Sequence, residues 1–385
     1  MRVLICPDKF AGTLTARRAA RAIASGWRRG APADDLVLRP LADGGPGFLD
    51  VIHPVAGGER VTVRACDPLL RPVRAHLLVA GDTVYVESAQ TCGLHLLTRT
   101  ELDPLRVSSH GLGVLIGEAI ALGAREVVVG LGGSATVDCG AGMLSALGAV
   151  ARDATGAALP PGGGPLLDCA AITSLPDLGP VVLTAAADVA IPLLGASGAA
   201  RLFGPQKGAS PRAVRTLERS LATFAGHLTR TAPRCPADLV TIPGSGASGG
   251  IAAAIMALGG RCVSGAELVW ATTGLDDELD GVDVVVTGEG RVDHQTLRGK
   301  LPAVVARAAA ARGVPCVVVA GQVSDGLRTA EWADVTSIHS VAEHAGSVAR
   351  AMAEPFASVV ALAGLLSGEA LRARPGAART GPRSR

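Results

Sequence analysis

Residues 287–300 read TGEGRVDHQTLRGK, and these 14 positions hold Glu289, Asp293, Arg291, Arg298, Lys300 and three glycines. Only 18% of the 385-residue chain is charged, so the cluster is a local concentration of reactive groups. Carboxylates, cations and bare backbone in one stretch suit a ligand that carries several negative charges. Glycine-rich turns expose backbone N–H groups that favour anions. Carboxylates hold Mg²⁺, and Lys or Arg neutralises phosphate oxygens. The same kinds of residue recur at Asp8–Lys9, Asp43–Gly44–Gly45, Gly132–Gly133–Ser134, Asp188 and Lys207. Together they argue for phosphoryl transfer, the chemistry of a kinase.

Each residue carries a specific expectation. Gly288 and Gly290 predict a sharp turn that lets backbone approach a ligand. Glu289, Arg291 and Asp293 stand at i, i+2 and i+4, so an extended segment would point all three one way. Arg291 can clamp a carboxylate or phosphate through two parallel hydrogen bonds. Asp293 is the candidate base for a substrate hydroxyl, kept ionised by Arg291, Arg298 and Lys300. Asp188 and Lys9 join it as candidate catalytic groups, Asp188 also as a metal ligand. Asp8, Asp43, Arg291, Arg298 and Lys207 are candidates for substrate binding. Gly132, Gly133, Ser134, Gly288, Glu289, Gly290 and Lys300 are candidates for nucleotide binding. The competing readings are a helix cap at Asp8, an Asx turn at Asp43, a strand-end cap at Asp188 and a solvent-exposed Lys207. Asp138 can instead order the glycine loop. His110 and His294 read as hydrogen-bonded neighbours.

Other chemistries fit less well. GSGASGG (244–250) has GxGxxG spacing and GLGGSA (130–135) a GxGxxA match, either of which can mark a dinucleotide site and an NAD(P)-dependent oxidoreductase. Pro243 abuts the first, and the glycines of TVDCGAG weaken a helix after the second. No GxxxxGK[ST] string occurs, and GSGAS lacks the strand context of a hydrolase nucleophile.

The elements that must position these groups show in the apolar runs. RVLIC (2–6), LVLRP (36–40), EVVVGL (126–131), VVLTAAAD (181–188), DVVVTGEG (283–290) and CVVVAG (316–321) are apolar on both faces and alternate with Ala-rich helical stretches. That pattern predicts parallel sheets covered on both sides, with ligands beyond the carboxyl ends of the strands. Residues 59–89 alternate instead like antiparallel ribbons. Ser210, Pro211 and the stripe Val214, Leu217, Leu221, Phe224 and Leu228 predict one long capped helix. At 385 residues two domains are expected. A formal charge of +2 and 2% aromatics argue against a nucleic-acid partner. Eight scattered cysteines read as buried thiols in a reducing compartment. The short apolar start and the lack of a long uncharged run predict neither a signal peptide nor a membrane span, hence a cytoplasmic protein. The arginine-rich 372–385 reads as a disordered basic tail.

Six strings in a fixed order resemble the type I glycerate kinase family over nearly the whole chain. They are PDKFAGTLTA (7–16), LADGGPG (41–47), GLGGSATVDCGAGML (130–144), FGPQKGAS (203–210), GSGASGG and TGEGRVDHQTLRGK. The resemblance implies Mg²⁺- and ATP-dependent phosphorylation of D-glycerate, usually to 2-phosphoglycerate, with 3-phosphoglycerate as the other product. It also implies two α/β domains. One is a parallel, flavodoxin- or Rossmann-like domain from residues 1–62 and 281–371, and the other, 63–280, is inserted with a mixed sheet. Motif loops facing one cleft between them, and a homodimer, are compatible with it. The chain departs from the family at Ala11, Pro46, Phe48, Leu112, Val114, Val137, Ala190 and Ile191. An altered-substrate or non-catalytic homologue that binds a small hydroxy acid is the alternative.

Overall fold

The computed structural model describes residues 1–370 apart from 11, 189, 295, 299, 326 and 328–330. The basic-tail expectation at 372–385 lies outside the described residues, as do the side chain of Arg298 and the departure at Ala11. The chain forms two compact units, residues 1–41 with 274 onward, and Ala42–Thr273.

The first unit is built on a five-stranded sheet. Its order is Ser337–Ser340, Cys316–Val323, Val284–Val292, Arg2–Ile5, Asp35–Leu38, and every pairing is parallel. Val3 lies opposite Val284 on one side, and Arg2 opposite Asp35 on the other. Chain order therefore runs outward in both directions from the Arg2–Ile5 strand. The sheet reverses between that strand and Val284–Val292, the place where open α/β sheets leave a crevice at their carboxyl edge. The strands are Val- and Ile-rich because both faces are covered. Helices Ala16–Gly30 and Pro355–Ala370 pack together over one face. Helix Leu301–Ala310 packs against Val284–Val292 and Cys316–Val323.

The second unit holds a six-stranded mixed sheet in the order Arg261–Val263, Val182–Ala186, Glu126–Gly130, Thr83–Glu87, Pro72–Ala80, Glu59–Cys66. The first four strands are parallel and the last two add antiparallel, which is the ribbon expected at 59–89. A separate antiparallel pair joins Val150–Arg152 to Ala171–Thr173. The predicted long helix runs Pro211–Thr231; the Ser210 hydroxyl accepts from the Ala213 N–H at 3.2 Å, and Leu217, Leu221, Phe224 and Leu228 are buried.

The unit boundaries differ from the domain boundaries expected from the sequence. They fall at 41/42 and 273/274 rather than 62/63 and 280/281. Helix Phe48–Ala56 packs on strands Pro72–Ala80 and Thr83–Glu87 and on helix Gly265–Thr273. Strand Glu59–Cys66 pairs along its length with Pro72–Ala80. Residues 42–62 thus bury their apolar face in the second unit.

All eight cysteines are free thiols. Burial pushes Cys92 and Cys316 up to about 12 and Cys262 to about 11, and pushes Cys6 and Cys139 up as well. These folded values exceed the unfolded value of about 8.5. The folded chain therefore keeps protons that the unfolded chain releases. The resulting stability is whole below about pH 8.5 and is lost as pH rises through the folded values. Thermal melts between pH 7.5 and 10.5 should show Tm falling steadily. Cys92→Ala should flatten that slope, since one such thiol supplies up to about 1.4 kcal/mol per pH unit. A Tm that stays level across the range would contradict the burial of these thiols.

Candidate active site

In the second unit, four loops meet beyond the carboxyl ends of the parallel strands. After Glu126–Gly130 the chain runs as LGGSATVD through 131–138, and it packs so closely on the 43–47 turn that a Cβ on Gly132 would stand 2.6 Å from the Gly45 Cα. The Asp43 carboxylate accepts the Gly45 N–H at 2.9 Å, which is the Asx turn weighed from the sequence. Asp188, just past Val182–Ala186, accepts the Ala266 N–H at 2.9 Å and, more weakly, the Ser264 hydroxyl at 3.5 Å. These loops line an open cavity of about 180 Å³, where Asp43, Gly132, Gly133, Ser134, Asp188 and Lys207 are joined by Gln206, Ser248 and the apolar Leu94, Leu131 and Phe203. Six residues proposed from sequence are thus brought together.

Lys207 is 3% exposed, which removes the solvent-exposed reading. Its ammonium donates to the Ser134 hydroxyl at 3.0 Å and the Thr136 carbonyl at 2.8 Å. Burial pushes its pKa down to about 8, against the opposing pull of Asp138. Asp138 is 0% exposed and does order the glycine loop. It accepts the N–H and hydroxyl of Ser109, both at 2.8 Å, and the N–H groups of Gly140 and Gly142, both at 3.2 Å. Desolvation nonetheless pushes its carboxyl above the usual range, outweighing those bonds.

The first unit carries the other set. The Asp8 N–H donates to the Gly288 carbonyl at 2.8 Å, and Lys9 Nζ lies 3.4 Å from the Asp8 carboxylate. The sharp turn expected at Gly288 and Gly290 is absent, because strand Val284–Val292 runs straight through both. Gly288 is required for a different reason: a Cβ there would stand 1.9 Å from the Val319 carbonyl on the neighbouring strand. Among the described residues, Glu289 and Asp293 both meet Thr296, whereas Arg291 meets Ser324. Buried Glu289 accepts the Thr296 hydroxyl, and Asp293 accepts the Thr296 N–H at 3.2 Å. Exposed Arg291 reaches Ser324 at 3.4 Å. Lys300 Nζ lies 3.8 Å from Asp293, and both are half-buried. Arg298 contributes backbone to the short helix Thr296–Arg298.

Among the described residues, no three His, Cys, Asp or Glu side chains gather as a metal site. Mg²⁺ does not require such a cage, since it is usually held by one or two carboxylates and substrate phosphates. The Asp43–Asp188 cavity fits that modest demand. Sequence reasoning passed over Glu87, whose carboxylate accepts the N–H groups of Gly47 at 3.1 Å and Leu49 at 3.3 Å and so anchors the 43–47 turn. Its position at the end of strand Thr83–Glu87 was the available signal. Ser109 and Thr296 carried no signal at all. The two dinucleotide-type strings lack the required context. GSGASGG forms a 3₁₀ turn over Ala247–Gly249 with no strand before it, and no helix follows GLGGSA until Ala141.

Residues 3–365 match the model of the glycerate kinase family. The chain is 37% identical to the glycerate 2-kinase of Escherichia coli K12 over 90% of its length and 92% of that protein's. It is 39% identical to a glycerate kinase of Halalkalibacterium halodurans, covering 84% of this chain and 86% of that one. The crystal structure of putative glycerate kinase 2 from Salmonella typhimurium LT2 superposes with a TM-score of 0.76 at 34% identity, over 97% of this chain and 98% of that chain.

Holding an ammonium in this cavity has a stability cost that can be measured. The folded value of about 8 lies below the unfolded value of about 10.4. The unfolded chain therefore binds the proton more readily between those limits. The penalty is full below about pH 8 and is gone above about pH 10.4, where neither state is charged. It amounts to at most about 3 kcal/mol, less about 1 kcal/mol for each hydrogen bond lost on substitution. Lys207→Met should therefore be about 1 kcal/mol more stable than wild type in urea melts at pH 7, with the gap closing toward pH 10. A variant clearly less stable than wild type at pH 7 would show that Lys207 serves the fold.

Proposed function

The chain belongs to the glycerate kinase family, and from that premise we propose that it transfers the γ-phosphoryl group of ATP to D-glycerate, giving 2-phosphoglycerate. The observation that carries the reading is the buried Lys207 ammonium at a glycine-lined cavity shared with two carboxylates. Such a cavity suits an anion with an associated divalent cation. The fold and the family make the chain a kinase; acceptor, donor and product position are the proposal.

The roles follow from residue chemistry. Gly132, Gly133 and Ser134 offer backbone and hydroxyl hydrogen bonds to phosphate oxygens. Lys207 places a full charge against an anionic group in a site of low dielectric, where it counts for more than in water. Asp188 and Asp43 would hold Mg²⁺. When bound, the ion would supply positive charge against the phosphate oxygens. In the other unit Asp293 is the candidate acceptor of the substrate hydroxyl proton. Its carboxylate is fixed by the Thr296 N–H and stands near Lys300. Asp8, Lys9, Arg291 and Arg298 are candidates for contacts to substrate, and Gly288, Glu289, Gly290 and Lys300 for contacts to nucleotide.

Purified protein with MgATP and a panel of small hydroxy acids should release ADP fastest with D-glycerate. NMR of the product should place phosphate on the C2 oxygen. Folded protein that releases no ADP with glycerate would refute the assignment, and phosphate on C3 would refute the product. Asp293→Asn keeps the shape and removes the charge, so kcat should fall by roughly 10²–10⁴-fold. Near-normal turnover would remove Asp293 from the mechanism. The pH dependence supplies a further check. Because the Lys207 ammonium is lost near pH 8, KM for D-glycerate, the anion assigned to it, should rise above that pH in wild type. It should stay level in Lys207→Arg, whose guanidinium does not titrate there.

A further inference from the structure

Lys207 and Asp138 carry opposite charges, both essentially removed from water at 3% and 0% exposure. Among the described residues, neither forms an ion pair. Each buried ion costs several kcal/mol unless compensated. Both are tied to the same short segment. Lys207 is held by Ser134 and Thr136, and Asp138 lies two residues beyond Thr136. Asp138 grips the far end of that segment through Gly140 and Gly142 and fastens it to the Ser109 N–H and hydroxyl. The Ser109 hydroxyl in turn accepts the Met143 N–H at 3.0 Å, locking the start of helix Ala141–Ala146 to the same point. A fold seeking only stability could satisfy those N–H groups with neutral acceptors. A retained full negative charge points to use.

We propose that Asp138 is a positioning residue for Lys207: it fixes the loop that supplies the ammonium's two acceptors and provides the buried negative charge that keeps the ammonium in place. The inference rests on the reading of Lys207 as the anion-binding cation. The other groups around Lys207 do not substitute for Asp138. Cys92, on the neighbouring segment Ala89–Cys92, is held neutral by a thiol pushed up to about 12. Ser134 and Thr136 are uncharged. Asp43 and Asp188 line the cavity where the ligand and its cation would sit, so their charge is committed on ligand binding.

A double-mutant cycle on the full-length enzyme separates this from a structural role, with KM for D-glycerate as the readout. Lys207→Met should raise KM at least about 10-fold. Asp138→Asn should raise it about 5–20-fold in the wild-type background and less than about 2-fold in the Lys207→Met background, because coupled residues do not add. Asp138→Asn should also move the alkaline rise in KM to lower pH by about half a unit or more, since loss of a nearby negative charge lets the ammonium deprotonate more easily. Ser109→Ala keeps the charge and loosens the loop. It should raise KM a few-fold, again only when Lys207 is present, and leave the alkaline rise where it was. If Asp138→Asn does not fold, the Ser109→Ala cycle carries the test. Additive effects in either cycle, or an alkaline rise unmoved by Asp138→Asn, would overturn the proposal. A Lys207→Met enzyme with unchanged KM would overturn both it and the reading beneath it, whereas additivity alone would leave Lys207 its role.

Discussion

An ammonium held out of water is the constraint around which the second unit is arranged. Lys207 can remain charged there only if acceptors reach it at hydrogen-bond distance and a negative charge lies in the same low-dielectric region. The segment 134–138 supplies both, with the Ser134 hydroxyl and Thr136 carbonyl at one end and Asp138 at the other. The surrounding geometry follows from keeping that segment in place. Ser109 and helix Ala141–Ala146 fasten its far end, and the close approach of Gly132 to Gly45 fixes its near end. Glu87 anchors the opposing turn through the N–H groups of Gly47 and Leu49.

Both units rely on the same sheet property. In a parallel sheet every strand ends on the same edge, and the backbone groups there are no longer consumed by the ladder. Asp43, Gly132 and Asp188 occupy such an edge in the second unit, as Asp8 and Lys9 do after the first strand of the other unit. The sheets differ in what lies beyond. The mixed sheet closes one flank with an antiparallel ribbon, whereas the five-stranded sheet extends Val284–Val292, paired with Cys316–Val323, past Arg2–Ile5 and carries Glu289 and Arg291 on strand rather than loop.

Much of this was legible because the signals were local. Val-rich runs such as 284–286 and 317–319 are strands buried on both faces, and no other element suits so continuous a β-branched pattern. The Ser210–Pro211 start of the long helix was equally plain, since its cap uses a residue three positions away. What escaped depended on distant partners. Gly288 read as a turn because nothing in its own stretch shows that Val319 lies against it. The burial of Lys207 is decided by loop 131–138, some 70 residues earlier. The boundary at 41/42 depends on strand pairing between Glu59–Cys66 and Pro72–Ala80, which no composition change marks. The functional residue kinds could be read from the sequence, but the network through Ser109 could not.

The chain has only three lysines, Lys9, Lys207 and Lys300. This makes the central claim, a buried and charged Lys207 poised to meet an anion, directly observable. Selective ¹³C labelling of lysine gives three ε-carbon signals whose shifts report protonation. One of them, identified by its loss in Lys207→Met, should titrate near pH 8 in the free protein. Its midpoint should rise when D-glycerate and MgADP are added, as a bound anion stabilises the charged form. A Lys207 signal that titrates at about 10.4, as in an unfolded chain, with no response to ligand would contradict the account.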